Sequence, residues 1–342
     1  MRAIDGAHGE GGGQLLRTAC ALSALTGEAV RVFDIRARRA PPGLAPQHLT
    51  AVKAVAALCG AEVEGLAVRA PEIVFRPGRL RGGEFRFDVG TAGSITLVLQ
   101  AVLPVAFACG ENVTLRLIGG TDVKAAPPLD YFRFVFLPLL ERMGFKAKIE
   151  LIRRGYYPRG GGEVGVEVEP GRPRPLRLDA PGALEEIRGV AHAANLPAHV
   201  AERMRRTAEE ILCAYPRVRI EPQVLGREQA IGSGGAIVAW ARTEHTILGG
   251  SEVAQRGVPA ERIAQSAAES LRAEIESGAT LDLHAADQIL IYAALAPGAS
   301  SFLARTWSSH AQTTAWLLEQ FLPVRIRAPA HDALTRVEIA PE

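Results

Sequence analysis

The stretch DGAHGEGGGQLLR at residues 5–17 decides the fold, because it leads from a short strand into a helix through a loop dominated by glycine. It holds five glycines, the carboxylate of Glu10 and the guanidinium of Arg17. Glycines let backbone N–H groups approach a ligand closely, and a helix N-terminus favours anions. Since a carboxylate would repel phosphate, the pattern predicts a phosphate site with a divalent cation at Glu10. A flexible glycine-rich turn without a ligand is the competing interpretation.

The residues around this loop predict alternating strands and helices. Apolar side chains at helical spacing indicate a helix over 13–26 that stops at Gly27, and a strand near Ala3 precedes the loop. Further along, we expect a strand at 29–35, a helix at 46–59 and strands near 62–68 and 72–76. The predicted order is β-α-β-α-β-β.

The same order recurs around a second loop of small residues, GTAGS at 90–94. The predicted elements are a strand at 84–89, a helix at 95–108, a strand at 112–118, a helix at 129–143 and strands near 145–152 and 163–169. A third, incomplete version occupies 280–342, with one helix after Asp287 and another at 309–320. Self-similarity at a period of roughly 80 residues indicates whole modules packed together, not a solenoid of short repeats.

The rhythm changes after Pro170, which indicates an insertion. Two amphipathic helices are expected there, at 198–213 and 259–276, with strands near 217–223 and 235–242. We therefore predict an α/β (α+β) fold. Its large domain, residues 1–184 plus 280–342, consists of three β-α-β-α-β-β modules, and residues 185–279 form a small inserted α/β domain.

Composition indicates a globular chain of 342 residues, with 48% hydrophobic and 22% charged residues. The four cysteines lie far apart, without the spacing of metal ligands, and three of them lie in apolar runs typical of helices. We expect these three to be buried thiols in a reducing compartment. No run reaches the ~18 apolar residues of a membrane span, and no hydrophobic signal region opens the chain. We therefore expect a cytoplasmic protein without membrane association.

A basic cluster formed by Arg36, Arg38 and Arg39 follows the strand at 29–35. The formal net charge of +2 argues against non-specific coating of nucleic acid duplexes, but it allows a local basic site. The cluster precedes a proline-rich turn and so lies on a loop, where binding residues concentrate. A solvated charged face is the alternative interpretation.

Further segments complete a pattern that covers nearly the whole large domain: RARRAPPGLAPQHLTAVKA at 36–54, RPGRLRGGEFRFDVGTAGSITLVLQ at 76–100, GGTDVKAAPP at 119–128, YYPRGGGEV at 156–164, HAADQ at 284–288 and SSHAQTTAWLLEQFLPV at 308–324. In content and order, these segments and the first loop resemble the RNA 3′-terminal phosphate cyclase family. Each motif alone is weak, but the set is specific. The family's fold, three β-α-β-α-β-β modules with a small domain interrupting the third, agrees with the modules read from the chain.

The resemblance implies an ATP-dependent reaction in three steps, assisted by a divalent metal (Mg or Mn). A histidine attacks the α-phosphorus of ATP, the AMP moves to an RNA 3′-phosphate, and the vicinal 2′-hydroxyl then expels AMP to leave a 2′,3′-cyclic phosphate. Adenylylation is needed because a phosphate monoester has only a very poor leaving group. The ribose geometry makes the last step intramolecular.

The family's site residues carry over position by position. His310 matches the nucleophile, Glu10 the metal-associated carboxylate and Arg17 a phosphate contact, with Asp287 as a further catalytic candidate. The nucleotide-binding positions match Gln100, His284, Ala285, Ala286, Asp287 and Gln288. The positions near the RNA end match Arg36, Arg39, Gln47 and His48. The chain departs from the family at Ala285, where leucine is more usual, and at Pro41, where relatives can have lysine.

Other interpretations stay open at this point. Taken singly, His310 could be a helix cap and Arg17 a helix-surface residue. Non-catalytic relatives of the cyclases act in ribosome assembly without the nucleophile, and enolpyruvyl transferases share the repeated module. The presence of His310, Glu10 and Arg17 together favours a catalytic cyclase. A homodimer is possible.

Overall fold

The computed structural model describes residues 1–342 and confirms the α/β class, with several sheets covered by helices. The helices are α1 (Gly13–Thr26), α2 (Pro46–Cys59), α3 (Ile95–Ala108), α4 (Leu129–Tyr131), α5 (Leu137–Arg142), α6 (His199–Leu212), α7 (Ala260–Ser277), α8 (Leu283–Ala294) and α9 (Ser309–Phe321). A π-helical segment, Phe132–Phe136, joins α4 to α5. The strands are β1 (Arg2–Asp5), β2 (Val30–Phe33), β3 (Glu62–Glu64), β4 (Ile73–Arg76), β5 (Gly83–Asp88), β6 (Val113–Gly119), β7 (Lys146–Gly155), β8 (Gly162–Glu169), β9 (Leu184–Ala194), β10 (Val218–Leu225), β11 (Ala230–Ile231), β12 (Gly234–Thr243), β13 (Ile247–Val253), β14 (Ser300–Ala304), β15 (Val324–Arg327), β16 (Ala330–His331) and β17 (Leu334–Pro341).

The first two sheets share one strand order. In the first, the order is β1-β2-β4-β3, with β1 parallel to β2 and both other pairings antiparallel. In the second, β5-β6-β8-β7 follow the same order with the same directions, and β11 extends the sheet beyond β7. The third sheet has only the order β14-β17-β15, with β16 paired to β17. The description as three full modules therefore stays a prediction.

Helix boundaries follow local chemistry where glycine or serine marks them. The predicted bounds of α1, α2 and α3 are confirmed. Gly27 ends α1 in the left-handed conformation, at φ 73°, which glycine adopts without a Cβ penalty. Ser94 begins α3 by accepting a hydrogen bond from the backbone N–H of Leu97. Both glycine-rich loops thus lead directly into helices.

The structure corrects the predicted secondary structure in the C-terminal half of the chain. Helix α8 begins at Leu283, capped by Asp282, so Asp287 lies inside the helix and not before it. Strands β9 and β13 were not predicted, although together with β10 and β12 they make the sheet of order β10-β9-β12-β13.

That fourth sheet and helices α6 and α7 share a hydrophobic cluster of their own, which includes Ile187, Met204 and Leu271. The larger cluster, from Ile4 to Ile339, underlies the other three sheets. Two separate cores support an inserted domain, whose boundaries at 185 and 279 stay a prediction. Strand β11, which belongs to the same stretch, pairs with β7 and so joins the insertion to the second sheet.

The cysteine and hydropathy patterns can be compared with the structure directly. Cys20, Cys59 and Cys109 are buried and Cys213 is exposed, all as free thiols. Burial raises the pKa of the Cys109 thiol to about 11. None of the helices combines the length and the apolar character needed to cross a bilayer.

A buried ionic network lies where β7, the 119–128 loop and β9 meet. The guanidinium of Arg154 bonds to the carboxylates of Asp122, at 3.2 Å, and Asp130. His192, on β9, lies 3.4 Å from Asp122 through Nε2, and its Nδ1 is 3.0 Å from the hydroxyl of Tyr156. Burial alone would raise the pKa of Asp122, but Arg154 and His192 hold that pKa below its ordinary value. Through His192, the insertion contributes one side chain to this buried network.

Removing the cation from this network should be strongly destabilising. Arg154→Leu leaves Asp122 and Asp130 buried without their partner, so we expect the free energy of unfolding to fall by about 3–5 kcal/mol in urea denaturation. Arg116→Leu, which breaks a solvent-facing pair with Glu163, is the matched control and should have a far smaller effect. Equal losses in the two variants would contradict a structural role for the buried network.

Candidate active site

A cleft of about 660 Å³ lies where five segments converge. They are the first glycine-rich loop, the loop that bears Arg36, Arg38 and Arg39 (the arginine loop), the 124–128 loop and the N-terminal ends of α8 and α9. Most of the predicted site residues line it: Arg17, Arg36, Arg39, Gln47, His48, Gln100, His284, Asp287, Gln288 and His310. Residues 251–253 of β13 close one side, so the insertion contributes to the wall. The structure therefore brings together motifs from both ends of the chain.

The glycine-rich loop is packed tightly against α9. Gly9 and Gly11 both have φ 59°, the left-handed region that favours glycine. A Cβ atom on Gly9 would lie 2.2 Å from Oγ1 of Thr313, so only glycine fits at this approach. The side chain of Gln14 donates to the hydroxyl of Thr314 at 2.8 Å. These contacts hold the loop in one position relative to α9.

Glu10 meets His310 at the edge of the cleft: His310 lines the cleft, whereas Glu10 does not. Oε2 of Glu10 lies 3.1 Å from Nε2 of His310 and 3.6 Å from a guanidinium nitrogen of Arg39. The other carboxylate oxygen accepts a hydrogen bond from the hydroxyl of Ser309. Glu10 is thus held by a neutral donor and a cation, with its carboxylate directed at the imidazole.

The imidazole of His310 is biased toward its neutral form. Burial lowers its pKa, the carboxylate of Glu10 opposes that shift, and the charges of Arg17 and Arg39 add to the lowering. A neutral imidazole has an unprotonated nitrogen, which is what nucleophilic attack requires. Since the N-terminus of a helix also favours anions, a phosphate next to His310 would be stabilised there.

Arg17 is a buried cation whose side chain is only partly satisfied. It is 6% exposed, and one guanidinium nitrogen donates to Oε1 of Gln100 at 3.2 Å. Its Nε atom is buried without a partner. Burial lowers the pKa of Arg17 to about 10, which still leaves it charged at neutral pH. A buried, incompletely paired cation is suited to an anionic ligand.

The first turns of α8 place three polar side chains toward the cleft. Asp282 caps the helix by accepting from the backbone N–H groups of residues 284 and 285, and it also accepts from the hydroxyl of Tyr131 at 2.6 Å. His284, Asp287 and Gln288 line the cleft. Asp282 therefore positions the motif, although it was not singled out in the sequence; an aspartate directly before HAADQ is the cap signal that could have found it.

Ala285 and Ala286 occupy the same turns but point elsewhere. Both are fully buried in the main hydrophobic core and do not line the cleft. The backbone N–H of Ala285 is used by the Asp282 cap, and that of Ala286 donates to the Asp282 carbonyl. A direct role for either residue in nucleotide binding stays a prediction; the structure shows them packing α8 against its neighbours.

Asp287 connects α8 to the helix that bears His310. Its Oδ1 accepts from the hydroxyl of Ser308 at 2.6 Å, and Ser308 in turn caps α9. Burial raises the pKa of Asp287 to about 7, against the effect of the Ser308 hydrogen bond. A carboxyl group that titrates near neutrality in a cleft is a candidate for proton transfer.

The arginine loop contains both a scaffold residue and a free cation. Arg36 donates from Nη1 to the backbone carbonyls of Pro41, at 3.0 Å, and Gly43, at 2.7 Å, so it also holds the loop together. Arg39 is half exposed and has only its long contact with Glu10. Gln47, in the first turn of α2, accepts from the backbone N–H of Ser94, which joins α2 to the second glycine-containing loop.

His48 is a buried neutral residue beneath the first glycine-rich loop. Its Nδ1 accepts from the backbone N–H of Ala45 at 3.2 Å. Burial, with the nearby charges of Arg17 and Arg36, lowers its pKa to about 3. A Cβ on Gly13 would lie 1.9 Å from Nε2 of His48, so glycine at 13 is required by this ring.

A recess of about 30 Å³ opens behind Arg17 at the inner end of the cleft. Three of the residues that line the recess have a buried polar atom without a hydrogen-bond partner. These atoms are Nε of Arg17, Oε1 of Gln288 and the hydroxyl oxygen of Tyr292. The volume suffices for a water molecule or one small polar group. Such a group would satisfy donors and an acceptor that the protein leaves unpaired.

A divalent cation would have one carboxylate ligand here. No cluster of three or more histidine, cysteine or carboxylate side chains is arranged to hold a metal ion, so Glu10 would be joined by ligands from outside the protein. Mg²⁺ is commonly bound in this way, by one or two carboxylates together with substrate phosphates and water. The donor set therefore fits a cation that arrives with a phosphate-bearing substrate.

Comparison with known proteins supports the pattern of motifs. A family model described as RNA 3′-terminal phosphate cyclase matches residues 8–328. The RNA 3′-terminal phosphate cyclase of Nitrosospira multiformis is 61% identical, over 100% of this chain and 97% of its own. The proteins of that name from Methanopyrus kandleri and Archaeoglobus fulgidus are 47% and 46% identical, covering 99% and 94% of this chain and 98% and 96% of their own.

The packing of His48 against the glycine-rich loop can be tested with two adjacent glycines. Gly13→Ala should displace the His48 ring and lower the free energy of unfolding by about 1–3 kcal/mol. Gly12→Ala is the control, because a Cβ there meets nothing closer than Arg39 at 3.9 Å, and its cost should not exceed about 1 kcal/mol. Urea denaturation of both variants measures the difference. If Gly13→Ala were as stable as the control, the ring would not constrain the loop.

The electrostatic coupling of Glu10 to His310 gives a prediction of definite sign. In the protein without nucleotide, NMR titration should give His310 a pKa below the ordinary 6.5. Glu10→Gln removes the one nearby carboxylate that raises this pKa, so the midpoint should move to still lower pH. His245, exposed in the insertion and distant from Glu10, serves as the internal control. A midpoint that rose in the variant would contradict the contact.

Proposed function

The chain belongs to the RNA 3′-terminal phosphate cyclase family, and we propose that it uses ATP to convert an RNA 3′-terminal phosphate into a 2′,3′-cyclic phosphodiester. The observation that carries this proposal is the pairing of His310 with Glu10 at the edge of a cleft whose inner wall holds the buried cation Arg17. A neutral imidazole, a carboxylate and a buried guanidinium group are the parts that nucleotidyl transfer needs.

In the first step, Nε2 of His310 attacks the α-phosphorus of ATP, the new P–N bond forms, and the bond to the pyrophosphate oxygen breaks. Burial supports this role because it disfavours the protonated imidazole, which could not attack. Nε2 lies 3.1 Å from the carboxylate of Glu10 and therefore donates its proton to this contact. Before the attack the contact must open and the proton must move from Nε2, so that Nδ1 carries the proton of the neutral ring. Arg17 would stabilise negative charge on the phosphate oxygens.

Glu10 would hold the divalent cation that we propose for the reaction. When bound, such an ion neutralises phosphate oxygens and assists the departure of pyrophosphate. Without the ion, the hydroxyl of Ser309 and the guanidinium of Arg39 hold the carboxylate of Glu10 in position.

In the second step, an oxygen of the RNA 3′-phosphate attacks the phosphorus bound to His310, and the P–N bond breaks to give RNA with an adenylylated end. The 2′-hydroxyl then attacks the 3′-phosphorus and AMP leaves. Arg39 is free enough to grip the terminal phosphate, and Gln47 lies beside it on the same wall. Arg36 would act partly through the loop that it braces.

Asp287 is proposed to exchange protons during this sequence. Its pKa of about 7 allows it to take the proton of the 2′-hydroxyl or to return one to a leaving oxygen near neutral pH. Its hydrogen bond with Ser308 links it to the helix of the nucleophile. A cytoplasmic location and a homodimer are further parts of this proposal.

The proposal predicts a covalent intermediate that depends on one histidine. With α-labelled ATP and Mg²⁺ or Mn²⁺, the wild type should acquire a label whose bond is acid-labile and base-stable, as a phosphoramidate is. His310→Asn should abolish the label and the cyclic product, whereas His245→Asn, an exposed histidine, should retain both. A labelled His310→Asn protein would overturn the nucleophile assignment, and an unlabelled wild type would favour a non-catalytic relative.

The same assay separates the two substrates. Chasing preformed adenylylated enzyme with RNA bearing a 3′-phosphate should show transfer slowed by about ten- to a hundred-fold in Arg39→Ala, the range expected when a charged hydrogen bond is lost. Labelling by ATP should stay nearly normal. Arg38→Ala, from the same loop but outside the lining of the cleft, is the matched control. Normal transfer with impaired labelling would assign Arg39 to the nucleotide instead.

A further inference from the structure

The turn between β7 and β8 presents an aromatic ring to solvent. Tyr157 is 79% exposed, and it is the only aromatic residue among the exposed large hydrophobic side chains of the chain. Pro158 and Arg159 beside it are exposed as well. The turn belongs to the motif YYPRGGGEV, for which the chemistry proposed above has no use. An exposed tyrosine next to an exposed arginine is an arrangement that binds single-stranded nucleic acid by stacking and phosphate contact.

The turn is closed by a backbone hydrogen bond and anchored by a buried ring, although its tip is exposed. The backbone N–H of Gly160 donates to the carbonyl of Tyr156 at 2.8 Å and closes the turn. The ring of Tyr156 points inward, is 3% exposed and reaches His192 of the buried ionic network. Two adjacent tyrosines thus have opposite roles: one anchors the turn and the other faces solvent. A rigid platform costs less conformational entropy when a ligand binds to it.

One set of contacts connects the turn to the wall of the cleft through the second glycine-containing loop. A Cβ on Gly160 would lie 2.4 Å from the carbonyl oxygen of Thr91, so the turn is packed directly on that loop. Two residues along, a Cβ on Gly93 would lie 3.0 Å from Cβ of Gln47, which lines the cleft. The surface therefore runs from the cleft over the 90–94 loop to the turn.

A second set of contacts reaches the same turn from the segment 122–124. Asp122 forms a parallel β-bridge with Tyr156. Lys124, only two residues further along the chain, lines the cleft. Two separate segments thus connect the lining of the cleft to the turn, and a strand whose 3′ end occupies the cleft can leave it on this side.

Two carboxylates and one unpaired arginine lie near this path. Asp88, before the 90–94 loop, accepts a hydrogen bond from the backbone N–H of Gly90, and Glu163, after the turn, is paired with Arg116. Arg159 has no carboxylate within the 4.0 Å that defines an ion pair. Its guanidinium is consequently available to a phosphate.

We propose that the β7–β8 turn binds the RNA upstream of its 3′ end, with Tyr157 stacked on a base and Arg159 against a backbone phosphate. This inference rests on the proposed function, because it takes the 3′-phosphate to occupy the cleft. Stacking on an aromatic ring tolerates any base, so the turn would add affinity and not sequence preference. It would favour oligonucleotides over substrates too short to reach the turn.

The test compares binding and AMP transfer across substrate lengths. The wild type, Tyr157→Leu and Tyr157→Phe are given a nucleoside 3′-phosphate and a fluorescent single-stranded RNA of about 10 nucleotides with a 3′-phosphate. Tyr157→Leu should bind the long RNA roughly 5- to 100-fold more weakly, the range for one lost base stack, while Tyr157→Phe should bind like wild type. Labelling by ATP and transfer to the nucleoside 3′-phosphate should be unchanged in both variants.

Arg159 is tested by the salt dependence of binding. Arg159→Ala should reduce the slope of log affinity against log salt concentration by about 0.7 for one lost phosphate contact on a single strand. Arg327→Ala, an exposed arginine on β15 in a different sheet, is the charge-matched control and should leave the slope unchanged.

The outcomes distinguish this inference from the proposed function. If the wild type forms the adenylylated histidine and the cyclic product but Tyr157→Leu binds long RNA normally, the turn is not an RNA site and the proposed function stands. If the wild type forms neither, the proposed function fails and this inference fails with it. A change in oligomeric state in Tyr157→Leu, with RNA affinity unaltered, would assign the ring to contact with a second copy.

Discussion

The site depends on one long-range constraint, the packing of the first glycine-rich loop against the N-terminal turns of α9. Glu10 comes from the start of the chain and His310 from its end, yet the two side chains are 3.1 Å apart. Their approach is secured by the close contact of Gly9 with Thr313 and by the ring of His8, which stacks on Trp316 with centroids 3.8 Å apart. Since neither segment alone contains both groups, the pair exists only in the folded chain.

Burial and charge act together on the groups of the cleft. Burial disfavours charge, so it lowers the pKa values of His48 and His310 and raises that of Asp287. Arg17 keeps its charge nonetheless, because the ordinary pKa of arginine is so high. The cleft thus holds neutral histidines and a permanent cation under the same conditions. This combination suits a nucleophile that must be unprotonated next to phosphates that must be neutralised.

Local signals in the sequence were sufficient for much of the large domain. Glycines and a serine mark the ends of α1 and α3, and the spacing of apolar residues does the rest. Strand β13 was missed because Gly249 and Gly250 weaken a strand pattern. The folded chain needs glycine at both positions. A Cβ atom on Gly249 would lie 2.6 Å from the ring of Tyr131, and a Cβ atom on Gly250 would lie 2.3 Å from the backbone of α7. Constraints of that kind come from tertiary packing, which a single sequence does not display.

A motif also does not separate residues that meet a ligand from those that support them. Arg36 and Arg39 were predicted together, yet Arg36 braces its own loop through two carbonyls, while Arg39 faces the cleft beside Glu10. Ala285 and Asp287 both belong to the five-residue motif HAADQ, but Ala285 packs in the core and Asp287 lines the cleft. The hydrogen bonds made within the loop decide the first case, and side-chain direction on α8 decides the second. Because Asp282 caps the helix and is held by Tyr131 and by the backbone N–H of Gly249, the register of the motif is determined by contacts from both the large domain and the insertion.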